Sequence, residues 1–129
     1  MKSEKDREVT ESEIIMIQDY LQGYCLNRKI LRLDRYEQEY FHPDVMDYEA
    51  FGEAPLARAR MFEIRHFIMS LPNSDEKLFL YYHYVKGESV VRCGELLGIS
   101  RSGAFRMHHR ALRIAALQER ERGTGNGCA

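Results

Sequence analysis

Cysteine is scarce in this chain. Cys25, Cys93 and Cys128 are three in 129 residues, far apart, odd in number and without a CxxC pair. A disulfide scaffold or a cysteine zinc site is therefore excluded as the organising device. Cys25 and Cys93 sit in apolar contexts and read as small core residues of a reducing compartment. No apolar run approaches the roughly 18 residues of a membrane span, so no membrane partner is expected. The opening MKSEKDREVTESE is charged throughout and reads as neither a signal nor a transit peptide, which points to a cytoplasmic protein. Strand-like alternation and internal repeats are also missing, and the expected fold class is all-α. A glycine-rich phosphate loop, a nucleophile elbow and an HExxH motif are lacking. The carboxylates are scattered through charged surface, so no catalytic residue, no enzyme activity and no cofactor are expected. His108 and His109 have no third ligand at useful spacing, so no metal is expected either.

One further absence is local. Between Ser100 and Ala115 there is no Asp or Glu, yet Arg101, Arg106, Arg110 and Arg113 fall there. The net charge of −1 hides this. Residues 1–72 hold 10 basic and 14 acidic side chains, and residues 73–129 hold 9 and 6, so a half at −4 precedes a half at +3. A basic half suits a polyanionic partner.

What is present is helical punctuation. Thr10-Glu11-Ser12-Glu13 has the form of a capping box. Ile14, Ile17, Leu21, Tyr24 and Leu31 then follow at helical, near-heptad steps, weakened locally by Gly23. The helix is expected to run to about Tyr40, with Pro43 ending it, a length of roughly 45 Å. A helix that long needs a partner, either the next helix or a second copy of the chain. Residues 42–54 read as a connector. Pro55 opens a second helix whose loose inner face is Leu56, Ala59, Phe62 or Glu63, Phe67 and Leu71, and Pro72 closes it. Asn73 or Ser74 caps a third helix, with Glu76 at the third position of a cap on Asn73. It runs through LFLYYHYVK to Gly87, with Phe79, Leu80 and Tyr84 inward and Tyr81 exposed. Ser89 caps a short helix, VVRCGELL, and Ser100 caps a last one that runs to about Gln118. The expected organisation is a helical region over 1–70, a trihelical unit over 71–118 and a disordered, glycine-rich tail over 119–129.

Residues 90–109 have the form of a helix-turn-helix. The first helix must cross the second closely, and Gly94 supplies the small residue. The turn needs a residue tolerant of positive φ, and Gly98 stands there. Ile99 plugs the turn. Ala104, Met107 and Ala111 face Cys93 and Leu97 across it. Geometry then assigns Arg101, Ser102, Phe105, Arg106 and His109 to the outward face that such a helix presents to the major groove. Arginine can read guanine, serine several base edges, and phenylalanine a thymine methyl. Ser89, Arg92, Ser100, Arg110 and Arg113 are placed for the phosphate backbone of double-stranded DNA. His108 is expected in peripheral packing or exposed.

These motifs carry a resemblance. Leu71-Pro72, Tyr84-Val85, Gly87-Glu88-Ser89, Leu97-Gly98-Ile99-Ser100 and Arg110-Ala111-Leu112 together resemble region 4 of bacterial sigma-70-type factors, over about a third of the chain. Residues 1–70 are too short for the promoter-melting region of a full sigma factor. The pair Phe105-Arg106 and the long charged first helix look more like the small sigma-like late-gene activators of the ArpU and RinA kind, carried by phages and prophages of Gram-positive bacteria. The resemblance implies promoter binding in a bacterial host cell. Two alternatives stand beside it: a sigma mimic that binds RNA polymerase and redirects or inhibits it, and a phage DNA-packaging recognition subunit. The N-terminal helices are expected to pack on residues 55–70 of the same chain, to form a homodimer or to hold a partner; a ring-sized oligomer would favour the packaging subunit, and a dimer or monomer would count against it.

Overall fold

The computed structural model describes residues 9–41 and 53–126, and within them every element is helical. The order is α1 (Glu11–Phe41), α2 (Glu53–Met69), α3 (Ser74–Leu80), a π-helical turn (Tyr81–Val85), α4 (Val90–Leu96) and α5 (Arg101–Asn126). The expected stop at Pro43 and most of the connector lie outside the described residues.

α1 starts where its capping box places it. The Glu13 backbone N–H donates to Thr10 Oγ1 at 3.1 Å, and the Thr10 N–H donates to Glu13 Oε1 at 3.0 Å. Ile14, Ile17, Leu21 and Tyr24 are buried along one side, and Leu31 is half-buried. α2 folds back along that side: the rings of Tyr20 and Phe67 meet edge to face at 5.6 Å, and Ile64 comes up against Gly23.

The inner face of α2 departs from expectation. Ala54, Ala57, Ile64, Phe67 and Ile68 are buried, whereas Leu56, Ala59 and Phe62 are exposed. The small alanines face inward, so the larger Leu56 and Phe62 are left outside. The expected face favoured the bulkier residues, and of these Phe67 and Leu71 alone are buried.

The π turn reconciles two inward pairs. Phe79 and Tyr84, and Leu80 and Val85, are five residues apart, and all four are buried. An ordinary α-helix would turn such pairs apart, whereas i→i+5 bonding aligns them; the Lys86 N–H donates to the Tyr81 carbonyl at 3.1 Å. Tyr81, expected to be exposed, is half-buried against the main core with the Lys86 ammonium 5.6 Å from its ring centre.

That core joins Ile14, Leu21, Phe67, Leu71 and Tyr84 to Ala111, Leu112 and Ala115, so it takes residues from both sides of position 70. A smaller cluster of Phe79, Cys93, Ala104 and Met107 sits under α4. α5 is longer than expected. It continues through Glu119–Arg122 to Asn126 rather than fraying after Gln118, so 119–126 are helical. Two tethers hold that stretch. Arg120 makes bidentate contact with Glu13, at 2.8 Å from Nη2 to each oxygen, and the Arg122 guanidinium lies 5.2 Å from the Phe67 ring centre.

Candidate functional site

α4, the turn and α5 are locked by local chemistry. Ser89 Oγ accepts from the Arg92 N–H at 3.0 Å and caps α4. Gly98 has φ +74, a conformation that costs little only without a Cβ. Ser100 Oγ accepts from the Gly103 N–H at 3.1 Å and opens α5. A Cβ added at Gly94 would stand 2.6 Å from the Ala104 Cβ, closer than real carbon contacts, so this glycine sets how nearly α4 approaches α5. Ile99 and Leu97 pack on the small cluster, and Cys93, Ala104 and Met107 are buried in it. Burial, followed by the nearby Glu88 charge, pushes the Cys93 thiol up to about 11, which keeps it protonated and unreactive.

The opposite side of α5 is open. Arg101, Ser102, Phe105, Arg106, His109, Arg110 and Arg113 are all exposed, Phe105 by 51%. Ser102, Arg106, His109 and Arg113 are spaced 4, 3 and 4 residues apart, on one line down the helix. Phe105, Arg106, His109, Arg110 and Arg113 border one shallow hollow. Arg101, Arg106 and Arg113 make no ion pair among the described residues.

The remaining candidates are already engaged. Ser89 and Ser100 spend their side chains as helix caps. Arg92 lies between Glu88, at 3.8 Å, and Glu95, at 3.2 Å. Arg110 corrects the notion of an arginine set without acids. Its Nε lies 2.9 Å from Glu76 Oε2, and Glu76 is buried on α3. Asn73 precedes α3 without a side-chain capping bond, and the Glu76 carboxylate meets Arg110 rather than closing a capping box. A window read along the chain misses an acid delivered from another helix.

His108 is the other departure. It is half-buried and packed, not exposed, with its ring stacked on Phe79 at 5.7 Å and edge-on to His83 at 4.9 Å. Its Nε2 is 2.8 Å from the Tyr84 hydroxyl. Burial, aided by the charges of His83 and His109, lowers its pKa to about 4, so the ring is neutral at pH 7. Burial likewise pushes the Tyr84 phenol up to about 12. The sequence signal was available: His108 stands one residue from Met107 and three from Ala111, both inward. Among the described residues, no group of three His, Cys, Asp or Glu side chains could hold a metal ion, and no helix is long and apolar enough to cross a membrane.

Comparison with family models, curated proteins and solved structures gives no match to this chain.

Proposed function

We propose that this chain is a sequence-specific DNA-binding transcription regulator of phage or prophage type, in which α4 and α5 form a helix-turn-helix and α5 enters the major groove. The observation that carries the reading is the outer line of α5. It offers Ser102, Arg106, which makes no ion pair among the described residues, and His109 within about two and a half turns of the helix start, with exposed Phe105 beside them, backed by a close α4 crossing. A groove-reading helix needs such a face: rigid from behind, rich in donors in front, and of one charge sign. Arg101, Ser102, Phe105, Arg106 and His109 are assigned to bases and Arg113 to phosphate. Ser89, Arg92, Ser100 and Arg110 take a smaller part at the backbone, because each already has a partner within the chain.

The test separates the two roles. Sites are first selected from random duplex DNA. Arg106→Ala then weakens the selected site by about 1–3 kcal/mol and random DNA far less. Arg113→Ala weakens both alike and lowers the salt slope by about 1. Equal losses for the two variants would overturn the assignment of roles, and failure to enrich any site would overturn the reading. A second reading, a polymerase-binding sigma mimic, is favoured by Leu78 and Leu96, apolar residues 38% and 43% exposed on α3 and α4. It predicts capture of RNA polymerase without site-specific DNA binding.

A further inference from the structure

Among the described residues, α1 is covered on one side only. Opposite its buried residues, Leu26, Leu33 and Tyr40 follow at seven-residue intervals and are 60%, 64% and 64% exposed; Tyr36, beside them, is 53% exposed. Seven residues are close to two helical turns, so the three lie along one line. The rings of Tyr36 and Tyr40 stand 4.4 Å apart, and half-buried Ile30 edges the stripe. The seam spans residues 26–40, roughly 22 Å of helix.

Its charges have a particular order. Lys29 stands four residues before Leu33 and Glu37 four after, while Arg32 and Asp34 flank it directly. Lys29, Arg32 and Glu37 are exposed and make no ion pair among the described residues. This order complements itself when reversed. Two copies of the seam laid antiparallel about Leu33 bring Leu26 against Tyr40 and Lys29 level with Glu37, with Leu33 on Leu33, while Arg32 and Asp34, turned about 100° to either side of Leu33, stay at the edges. A parallel pairing brings Lys29 onto Lys29 and Glu37 onto Glu37, which repels.

We propose that the chain forms an antiparallel homodimer through residues 26–40 of α1, with Leu33 at the two-fold axis and Lys29–Glu37 pairs on either side of it. The buried series Ile14, Ile17, Leu21 and Tyr24 takes no part, because α2 and α5 already occupy it. The proposal rests on α1 alone and stands whether or not α5 meets DNA.

The test is sedimentation equilibrium of the full chain from about 1 to 200 µM at low salt, with no DNA present. The mass is expected to rise from 15.2 kDa towards twice that value. Lys29→Glu and Glu37→Lys each turn two attractions of the symmetric dimer into two repulsions, and each weakens association about tenfold. The double swap, Lys29→Glu with Glu37→Lys, restores it. Leu33→Asp leaves a monomer whose helical circular dichroism is unchanged, because the residue is exposed. A monomer at every concentration overturns the proposal. Single swaps without effect, or a double swap that fails to restore association, overturn the antiparallel register.

Discussion

α1 and α5, of 31 and 26 residues, are the two longest helices, and they differ on both of their sides. Inward, α1 contributes bulk, with Ile14, Ile17, Leu21 and Tyr24, whereas α5 contributes mostly Ala104, Ala111, Ala115 and Ala116. The alanines let other helices press close, and the bulk of α1 helps to fill the space. Outward, α1 shows leucine and tyrosine with charges of both signs, while the first four turns of α5 show arginine without a local acid. A face of mixed sign can complement a copy of itself. A face of one sign repels its own copy and suits a partner of the other sign. The two helices thus differ both in what they bury and in which chemistry they leave uncovered.

The largest expected effects test the inward half of this comparison. Leu21 is fully buried, so Leu21→Ala leaves a cavity and is expected to cost about 2–5 kcal/mol in urea unfolding. Ala115 is equally buried in the core, so Ala115→Leu is expected to overpack it and to cost about 1–3 kcal/mol. Both variants lose stability for opposite reasons. If Ala115→Leu were neutral, α5 would have slack against the core, and its alanines would not be setting the approach.

The ends and turns of these helices were legible in the sequence because each depends on a few adjacent residues. Thr10 and Glu13, Ser89, Gly98 and Ser100 act within three or four positions of themselves, and the structure places each in the expected role. The close crossing at Gly94 was legible because a turn of fixed length brings Ala104 back to it. The exposed line of α5 followed from periodicity once its inward residues were known. What depends on a distant helix was not legible. Leu56 and Phe62 look like core residues until α2 is seen turned on its alanines. Arg110 looks unpaired until α3 delivers Glu76. The end of α5 looks frayed until Glu13, more than a hundred positions earlier, binds Arg120. The seam on α1 is read only after the structure shows which of its apolar residues are already used.

A smaller effect separates His108 from the rest of α5. Its folded pKa of about 4 lies below the ordinary histidine value of 6.5. Above pH 6.5 the ring is neutral in the folded and unfolded chain alike, and its contribution to stability is fully present. As pH falls from 6.5 towards 4, the unfolded chain takes up a proton that the folded ring refuses, and stability drops. Because the ring is partly reached by water, the loss is about 1–2 kcal/mol rather than the full shift. Urea midpoints at pH 7, 5.5 and 4 should fall in order for the native chain and stay flatter for His108→Gln over that window. Glu13 responds in a more acidic range, since Arg120, with the Thr10 backbone N–H, holds its carboxyl below the usual carboxylate value of 4.5. Its acid response should survive in His108→Gln. Identical slopes for the two proteins would mean that the Phe79, His83 and Tyr84 cluster does not keep His108 neutral.

The smallest effect falls on Glu76, the acid that meets Arg110. Glu76→Gln keeps the shape of the side chain and a hydrogen-bond acceptor for Arg110 but removes the neutralising charge. Arg110 is 59% exposed on its side chain, so the pair itself contributes little, about 0–1 kcal/mol, and the fold should survive. On the proposed reading the freed guanidinium adds to the positive field over Arg106 and Arg113. Affinity for random duplex DNA should then rise roughly two- to fivefold at low salt, with a steeper salt slope and little change in the preference between sites. A gain confined to the selected site would move Arg110 from phosphate to base. No gain at either site would leave Arg110 as the clamp that holds α5 against α3, and would confine the DNA-facing cations of α5 to Arg101, Arg106 and Arg113, which make no ion pair among the described residues.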